Sequence, residues 1–486
     1  MKNSYNKTAF DTLTNAWADL ILMPLLFIRM PILTKNLAPE EYGLWGLVFT
    51  TCSLSLTLTS LGLGSALSRF LPSNKSKENI QEGFYSVLII KTLLSLFLSI
   101  SFFVLSQIFI SDFDNNSELV KITSLLILLT TIQPVYSRLL KIFRKIKTLS
   151  TLKIIEGYGL VILYASILLN GYGLIHLLYS YLLVKTGIII FLIIYLWPKT
   201  GIKWPKFTLL KEYFSYGLPT LPSSISFWIV NLSDRYIIVY LLGASSLGIY
   251  SAAYVIGSIP HMVSSLINFI MLVALSELYD KGEIEKVKAH LRYSAKYYFG
   301  LTIPFIFGSI ICSKELLRIL STEEISSNGW FIVPIIAIAY LFLGIYNLLN
   351  YILLITKKTK ILAVVWIIAM PLNIILNILI IPYYGLIGAA ITTALSYFIA
   401  MCVTAFFSLK ELTFSIDIGF ILKSVVSSSI MGVFLIMFQP IGLLQMLICI
   451  VLALVIYTIS LIILRSFNKN EYDLAKNLFG KIISFK

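Results

Sequence analysis

The sequence predicts an all-α integral membrane protein with about fourteen transmembrane helices and almost no soluble domain. Of its 486 residues, 58% are hydrophobic and only 13% are charged, and the mean hydropathy is +0.90. The apolar residues fall in blocks of roughly 18 to 25, the length at which a helix crosses an oily core about 30 Å thick. A closed β-barrel would need residue-by-residue alternation, which these blocks exclude.

The apolar blocks define the predicted crossings in chain order. They lie at residues 14–34, 43–66, 84–110, 119–140, 152–170, 173–197, 214–242, 247–276, 294–313, 329–355, 361–381, 385–408, 418–438 and 441–464. Because the bilayer core offers no water to the backbone, each block is predicted to satisfy its own N–H and C=O groups as a helix.

The basic residues predict which way the crossings run. Lys and Arg collect in every second loop, at residues 69–77, 138–153, 199–211, 281–292, 357–360 and 410–423. Lys35, Lys314 and Arg318 are the exceptions to this alternation. Cytoplasmic loops keep the excess of positive charge, so these loops should face the cytoplasm. The protein is predicted to lie in the cell membrane, which is the inner membrane where a cell has two. An even number of crossings then puts both termini in the cytoplasm. Asp11 and Asp19, with no small-residue cleavage site, argue against a removed signal peptide.

An internal repeat predicts two related lobes. The segment 36–45 aligns with 241–250 at an offset of about 205, and 172–175 aligns with 384–387 at an offset of about 212. Chance similarity between glycine-rich hairpins is the alternative. The repeat predicts a first lobe at 1–200, a second lobe at 201–410, two further helices at 411–465 and a cytoplasmic tail at 466–486. Each lobe would hold six helices.

Several functions are excluded by what the sequence lacks. It has no phosphate-binding G-x-x-x-x-G-K-[ST] loop, no nucleophile elbow, no zinc-protease motif and no loop long enough for a catalytic domain. The net charge of +15 is spread over short loops, which argues against nucleic-acid binding. Four cysteines and three histidines are scattered singly, so neither a metal site nor another cofactor is expected.

Charges inside apolar helices are the candidate functional residues, because a charge at mid-bilayer costs at least about 2.5 kcal/mol. Arg29 in the first crossing and Arg235 in the seventh lie at similar depths. The two guanidinium groups could hold a phosphate or carboxylate from opposite sides. Asp234 and Asp19 could balance these charges or carry a coupling cation, either H⁺ or Na⁺. Snorkelling to the nearer interface is the alternative.

Further charged residues lie in or beside the cytoplasmic half of the first lobe. Lys91 and Lys185 fall within the third and sixth crossings, and Glu156 lies near the start of the fifth. Each could face a cavity or bend toward the cytoplasmic headgroups. Arg69 is at the inner end of the second crossing, where snorkelling is an equally good interpretation.

Several segments resemble one known family. These are Arg29–Leu44, Leu61–Pro72, Leu218–Tyr236, Gly248–Ala253, Asn373–Asn377 and Ile381–Ala390. In order and spacing they resemble the Wzx-type flippases of lipid-linked oligosaccharides, which belong to the multidrug/oligosaccharidyl-lipid/polysaccharide exporter superfamily and have a MATE-like fold. The resemblance covers nearly all of the chain.

The resemblance implies two six-helix lobes around a cleft that opens alternately to each side. It implies a substrate built on a polyprenyl diphosphate that carries a short sugar chain and is moved to the outer leaflet for polysaccharide assembly. Membrane lipids and polysaccharide-assembly proteins are the implied partners. The diphosphate would be held by basic side chains, with Arg29, Arg235 and Arg69 as first candidates and Lys185 and Lys91 as further ones.

Four other functions remain open. A cation-coupled drug or metabolite exporter of the same fold would rely on Asp19, Asp234 or Glu156, whereas basic residues outnumber acidic ones here. A peptidoglycan-precursor flippase would also have a basic cavity. A membrane glycosyltransferase or polymerase would need a large outer loop or an acidic metal motif, and neither is present. A structural scaffold would leave the buried arginines unexplained.

Overall fold

A computed structural model describes residue 14, residues 17–71, 76–109 and 117–468, and residue 471. For residues 107–109, 269, 270, 272 and 273 the backbone alone is described. The helices are α1 (Pro24–Thr34), α2 (Pro39–Ser60), α3 (Leu63–Phe70), α4 (Lys77–Phe109), α5 (Ser117–Ile142), α6 (Ile146–Leu169), α7 (Leu174–Thr200), α8 (Leu210–Gly217), α9 (Leu221–Leu232), α10 (Asp234–Gly257), α11 (Ile259–Asp280), α12 (Ile284–Leu320), α13 (Glu323–Gly329), α14 (Ile332–Ile355), α15 (Thr359–Glu411), α16 (Ile418–Phe438) and α17 (Leu443–Ile463).

The all-α membrane fold is confirmed. Within the described ranges, 11 helical segments are long and apolar enough to span a membrane, and no residue is assigned to a strand. Two of these segments are divided by a glycine outside the helical region, Gly243 (φ 85°, ψ 168°) and Gly385 (φ 56°, ψ −137°). Left-handed φ values suit glycine, which has no Cβ to clash. With α12, which carries charges at both ends, the described helices account for all fourteen predicted crossings.

Helix α2 shows how a polar sequence is accommodated in a spanning helix. Its start is fixed by Pro39 in the first turn and by Glu41, whose carboxylate accepts the Ala38 N–H at 3.3 Å. The hydroxyl groups of its Ser and Thr residues donate to carbonyl oxygens three or four residues earlier, as Thr50 does to Gly46 at 2.9 Å. This internal bonding satisfies hydroxyls that the bilayer core could not solvate.

Apolar side chains cover the outside of the helices. On α17, for example, Leu444 and Ile463 are each 72% exposed, whereas Tyr457 on the opposite face is buried. The Tyr457 hydroxyl donates to the Gly300 carbonyl of α12 at 2.7 Å. An exposed apolar surface of this kind is stable only against lipid, so the exposure agrees with the spanning assignment.

The helices form two compact units. Unit 1 consists of Met1–Ser251 and Trp366–Gly385, and unit 2 consists of Ala252–Val365 and Leu386–Lys486. Residues 201–251, which the repeat assigns to the second lobe, belong to unit 1. The lobe boundaries at residues 200 and 410 therefore stay a prediction.

Two further features of the sequence are the four cysteines and the predicted cytoplasmic tail. All four cysteines are free thiols; Cys52, Cys312 and Cys449 are buried, and Cys402 is exposed. The predicted cytoplasmic tail at 466–486 lies mostly outside the described residues, apart from residues 466–468 and Glu471.

Candidate substrate-binding site in unit 1

Arg29 is held by aromatic rings. On α1, its guanidinium carbon lies 5.2 Å from the ring centroid of Trp45 on α2. The Trp45 ring in turn packs against Phe49 of the same helix, with ring centroids 4.6 Å apart. No acidic side chain lies within 4 Å of Arg29 in the described part of the chain. Aromatic faces attract a guanidinium but do not neutralise it, so Arg29 keeps its charge available for an anion.

Lys185 belongs to a hydrogen-bonded triad that joins three helices. Its ammonium on α7 forms an ion pair with Glu156 on α6. It also donates to the Gln133 side-chain oxygen on α5 at 2.6 Å, and the Gln133 amide donates to Glu156 at 3.0 Å. Each polar group satisfies another, which is how a charged pair tolerates low-dielectric surroundings.

Tyr181 connects Arg29 with this triad. The Lys185 ammonium lies 5.2 Å from the Tyr181 ring centroid. The Tyr181 ring packs edge-on against Phe49 at 4.9 Å, and Phe49 packs against Trp45, the ring next to Arg29, at 4.6 Å. We call Arg29, Gln133, Glu156, Tyr181 and Lys185 the amino-terminal polar cluster. Two cations and one carboxylate leave this cluster with an excess of one positive charge, which suits an anionic ligand.

Arg235 is neutralised by its neighbour. Its guanidinium lies 3.1 Å from the Asp234 carboxylate and donates to the Asn231 carbonyl at 2.9 Å. The other Asp234 oxygen accepts the Tyr250 hydroxyl at 2.7 Å. Asp234 is 1% exposed and Arg235 is 9% exposed. Asp234 thus forms an ion pair with Arg235, and Arg235 is less available to a ligand than Arg29. Whether Asp234 balances this charge or carries a coupling cation stays a prediction.

The positions of these groups follow the internal repeat. Adding the predicted offset of about 205 to Arg29 leads to Asp234, and adding it to Trp45 leads to Tyr250. Arg29 in the first crossing lies over the Trp45 ring of the second crossing. Asp234 in the seventh crossing accepts a hydrogen bond from the Tyr250 hydroxyl of the eighth crossing. Arg29 and Arg235 are therefore not equivalent, because the position equivalent to Arg29 holds an acid.

The remaining candidates lie apart from the amino-terminal polar cluster. Arg69 is exposed, with its guanidinium carbon 4.7 Å from the ring centroid of Tyr216. Asp19 forms an ion pair with Lys153 on α6 at 3.0 Å, and the two side chains are 50% and 33% exposed, respectively. Lys91 is only 5% exposed and lies on α4. The structure thus groups Arg29, Lys185 and Glu156, and it pairs Asp234 with Arg235.

Sequence reasoning missed the uncharged members of these networks. Gln133, Tyr181 and Tyr250 carry hydrogen bonds or ring contacts to the charged residues. A polar amide beside Pro134 in an apolar block is a signal that could have identified Gln133. The tyrosines offered no such signal, because aromatic residues are common throughout the spanning helices.

Known proteins share sequence with much of this chain. A sequence profile of the family described as "Polysaccharide biosynthesis protein" matches residues 32–329. The probable low-salt glycan biosynthesis flippase Agl15 of Haloferax volcanii is 25% identical over 261 residues, which cover 53% of this chain and 55% of Agl15. The chain therefore matches about half the length of this curated relative.

Two solved structures share the fold. The lipid II flippase MurJ in an inward closed conformation superposes with a TM-score of 0.77 at 21% identity, over 93% of this chain and 99% of MurJ. An inward-facing multidrug resistance MATE family transporter superposes with a TM-score of 0.64 at 16% identity, over 82% of this chain and 97% of the transporter. These likenesses confirm the predicted MATE-like fold.

Proposed function

The chain belongs to the polysaccharide biosynthesis protein family, and from this premise we propose that it is a flippase for a lipid-linked oligosaccharide. In this proposal it moves a polyprenyl diphosphate that carries a short sugar chain from the cytoplasmic to the outer leaflet, by alternating access. Agl15 is named as a probable glycan biosynthesis flippase, and MurJ as a lipid II flippase, which supports a cargo of this class.

The single observation that carries the proposal is the uncompensated charge of Arg29. Its guanidinium lies against Trp45 in a spanning segment and has no ion pair with any described acid. A mid-bilayer charge costs at least about 2.5 kcal/mol unless something stabilises it. A diphosphate group would neutralise Arg29 through charge-assisted hydrogen bonds, and Lys185 could add a second contact after leaving Glu156.

The acids argue against the cation-coupled exporter. Such a protein would rely on a carboxylate that is open to a cation, yet each of the three candidate carboxylates has a basic partner. The pairs are Asp19 with Lys153, Glu156 with Lys185, and Asp234 with Arg235. A coupling H⁺ or Na⁺ would have to displace a lysine or arginine, so we give the exporter less weight.

The proposed location follows from topology. Basic loops that face the cytoplasm would orient the protein in the cell membrane with both termini inside. The lipid tail of the cargo would remain among membrane lipids while the sugar crosses, and polysaccharide-assembly proteins would use the product at the outer face. The protein itself would break no covalent bond in this process, so it would not be an enzyme.

The proposal is tested by reconstituting the full chain in proteoliposomes. Transfer of a polyprenyl-diphosphate oligosaccharide to the opposite leaflet is measured for wild type, Arg29→Gln and the control Lys121→Gln, an exposed lysine on α5. We expect transfer by wild type and the control, and at least a tenfold loss for folded Arg29→Gln. Transfer of a peptide-bearing lipid precursor alone would instead identify a peptidoglycan-precursor flippase. Wild type that moves neither lipid would overturn the proposal.

A further inference from the structure

A cavity in unit 2 is lined by residues of α12, of the segment before α16 and of the chain after α17. Its volume is about 260 Å³, whereas a water molecule takes up about 30 Å³ of liquid water. The cavity therefore has room for a group of several heavy atoms. Its lining is polar and consists of Arg292, Tyr293, Lys296, Ser415, Asp417 and Asn468. None of these residues belongs to the amino-terminal polar cluster, so this cavity, which we call the unit 2 cavity, is a separate feature.

The unit 2 cavity lies where spanning helices begin. The apolar block of α12 starts at residue 294, two positions after Arg292, and Asp417 immediately precedes α16. Both positions belong to basic loops, residues 281–292 and 410–423, which are predicted to face the cytoplasm. Arg292 and Ser415 are exposed. The cavity is therefore expected at the depth of the phospholipid headgroups of the inner leaflet.

Arg292 and Asp417 carry opposite charges in this cavity but form no ion pair with each other. Among the described residues, neither has an oppositely charged partner within 4 Å. One Asp417 oxygen accepts the Phe420 N–H at 2.9 Å, and the second oxygen is available to a ligand. Lys296 is already paired with Glu471 at 2.8 Å. The cavity thus presents one cation and one anion, a pattern that complements a ligand with both charges.

Exposed apolar side chains follow the unit 2 cavity along both helices. Ile418 and Leu422 on α16 are 67% and 62% exposed, and Leu301 on α12 is 57% exposed. The two helices pack closely, because a Cβ on Gly300 of α12 would lie 3.1 Å from the Phe420 ring of α16. Exposed apolar side chains of spanning helices face lipid. A molecule with its polar head in the cavity can therefore extend acyl chains along these helices.

We propose that the unit 2 cavity binds the headgroup of a membrane phospholipid that carries a phosphate and a primary ammonium group, as phosphatidylethanolamine does. The Arg292 guanidinium holds the phosphate with its fork of N–H donors, and the Asp417 carboxylate accepts from the ammonium. Ser415 and Asn468 add a hydroxyl and an amide for the phosphate oxygens. A primary ammonium has three N–H donors and the trimethylated group of phosphatidylcholine has none, so the site prefers the former. This lipid is distinct from the transported cargo.

The test uses the purified, delipidated full chain in detergent. Phosphatidylethanolamine, phosphatidylcholine and phosphatidylglycerol with the same acyl chains are titrated separately, and native mass spectrometry measures the fraction of protein with bound lipid. The variants are Arg292→Gln and Asp417→Asn, with Lys286→Gln and Glu285→Gln as matched controls at exposed positions of α12. Asparagine caps a helix about as well as aspartate, so Asp417→Asn should leave α16 intact. Thermal unfolding midpoints check the folding of each variant.

The expected result is a change in lipid preference. Wild type and both controls should bind phosphatidylethanolamine about tenfold more tightly than the other two lipids, as one charge-assisted hydrogen bond allows. Asp417→Asn should abolish the preference over phosphatidylcholine and strengthen phosphatidylglycerol binding, because it removes a carboxylate that repels an anionic headgroup. Arg292→Gln should weaken phosphatidylethanolamine binding about tenfold. A loss of folding would not strengthen the binding of any lipid.

Two other results would overturn the site. Equal affinities for the three lipids that neither variant alters would mean that lipid binds to the apolar surface without a headgroup site. Tightest binding of phosphatidylglycerol that depends on Arg292 and not on Asp417 would mean an anion site instead. A protein that moves no oligosaccharide but shows the expected lipid preference would refute the proposed function and retain this site.

Discussion

Gly43 on α2 and Gly248 on α10 lie face to face at the predicted outer end of unit 1. A Cβ on Gly43 would lie 2.0 Å from the Ala244 carbonyl oxygen, and a Cβ on Gly248 would lie 1.9 Å from the Pro39 carbonyl oxygen. The repeat offset of about 205 relates Gly43 to Gly248 and Pro39 to Ala244. The contact is therefore reciprocal, as expected for two equivalent segments that meet around a local two-fold axis.

The first prediction concerns this close approach. Gly43→Ala or Gly248→Ala should lower the free energy of unfolding by about 1–3 kcal/mol, because the added methyl group forces two backbones apart. The matched control is Gly187→Ala on α7, where a Cβ meets nothing within 4 Å. That control should be neutral or slightly stabilising. Thermal unfolding midpoints in one detergent measure the difference, and equal midpoints would contradict the packing.

The second prediction concerns the buried pair of Asp234 and Arg235. Asp234→Asn should destabilise the fold by about 3 kcal/mol, because it leaves Arg235 buried without its counter-ion. The double change Asp234→Asn with Arg235→Gln should recover much of that loss. A surface control is Glu277→Gln, which removes an exposed pair with Lys281 and should cost less than about 1 kcal/mol. A double variant no more stable than Asp234→Asn would argue against a simple charge pair.

The third prediction concerns the ion pair of Glu156 and Lys185. Glu156→Gln removes the competing carboxylate, so the affinity for a polyprenyl diphosphate should rise several-fold if Lys185 serves as a ligand. Lys185→Met should lower that affinity. Equilibrium binding to the purified protein measures both effects. Unchanged affinity in both variants would restrict the pair to a structural role.

The fourth prediction concerns a second buried pair, which lies in unit 2. Lys296 on α12 is 4% exposed, lies over the rings of Phe420 and Phe467, and donates to Glu471 at 2.8 Å. Glu471 also accepts the Tyr297 hydroxyl at 3.2 Å. Glu471→Gln should therefore lower the thermal unfolding midpoint markedly, because it strands a lysine among aromatic side chains.

The control for this pair is Glu285→Gln, which removes an exposed partner of Lys288 on the same helix. Its effect should stay below about 1 kcal/mol. Combining Glu471→Gln with Lys296→Met separates the pair interaction from the loss of either side chain. Additive effects of these two changes would mean that the pair does not stabilise the fold.

The sequence allowed prediction of the spanning helices but not of their partners. The predicted hairpins at 243–246 and 382–384 contain or adjoin the non-helical glycines Gly243 and Gly385. The sequence predicts these hairpins because turn residues interrupt an apolar block. The charge pattern places Arg138 in a cytoplasmic loop, whereas α5 continues to Ile142 and the Arg138 guanidinium donates to Ser68 of α3. Local sequence carries no information about which distant helix a side chain meets.

By itself, the sequence determined that this is a helical membrane protein and roughly where each crossing begins and ends. Those features depend on hydropathy and helix length, which act within one segment. Only the tertiary structure decided that Arg29 rests on an aromatic ring without a described acid while Arg235 is neutralised by Asp234. The availability of a charge depends on which side chains fold against it, and those lie far away along the chain.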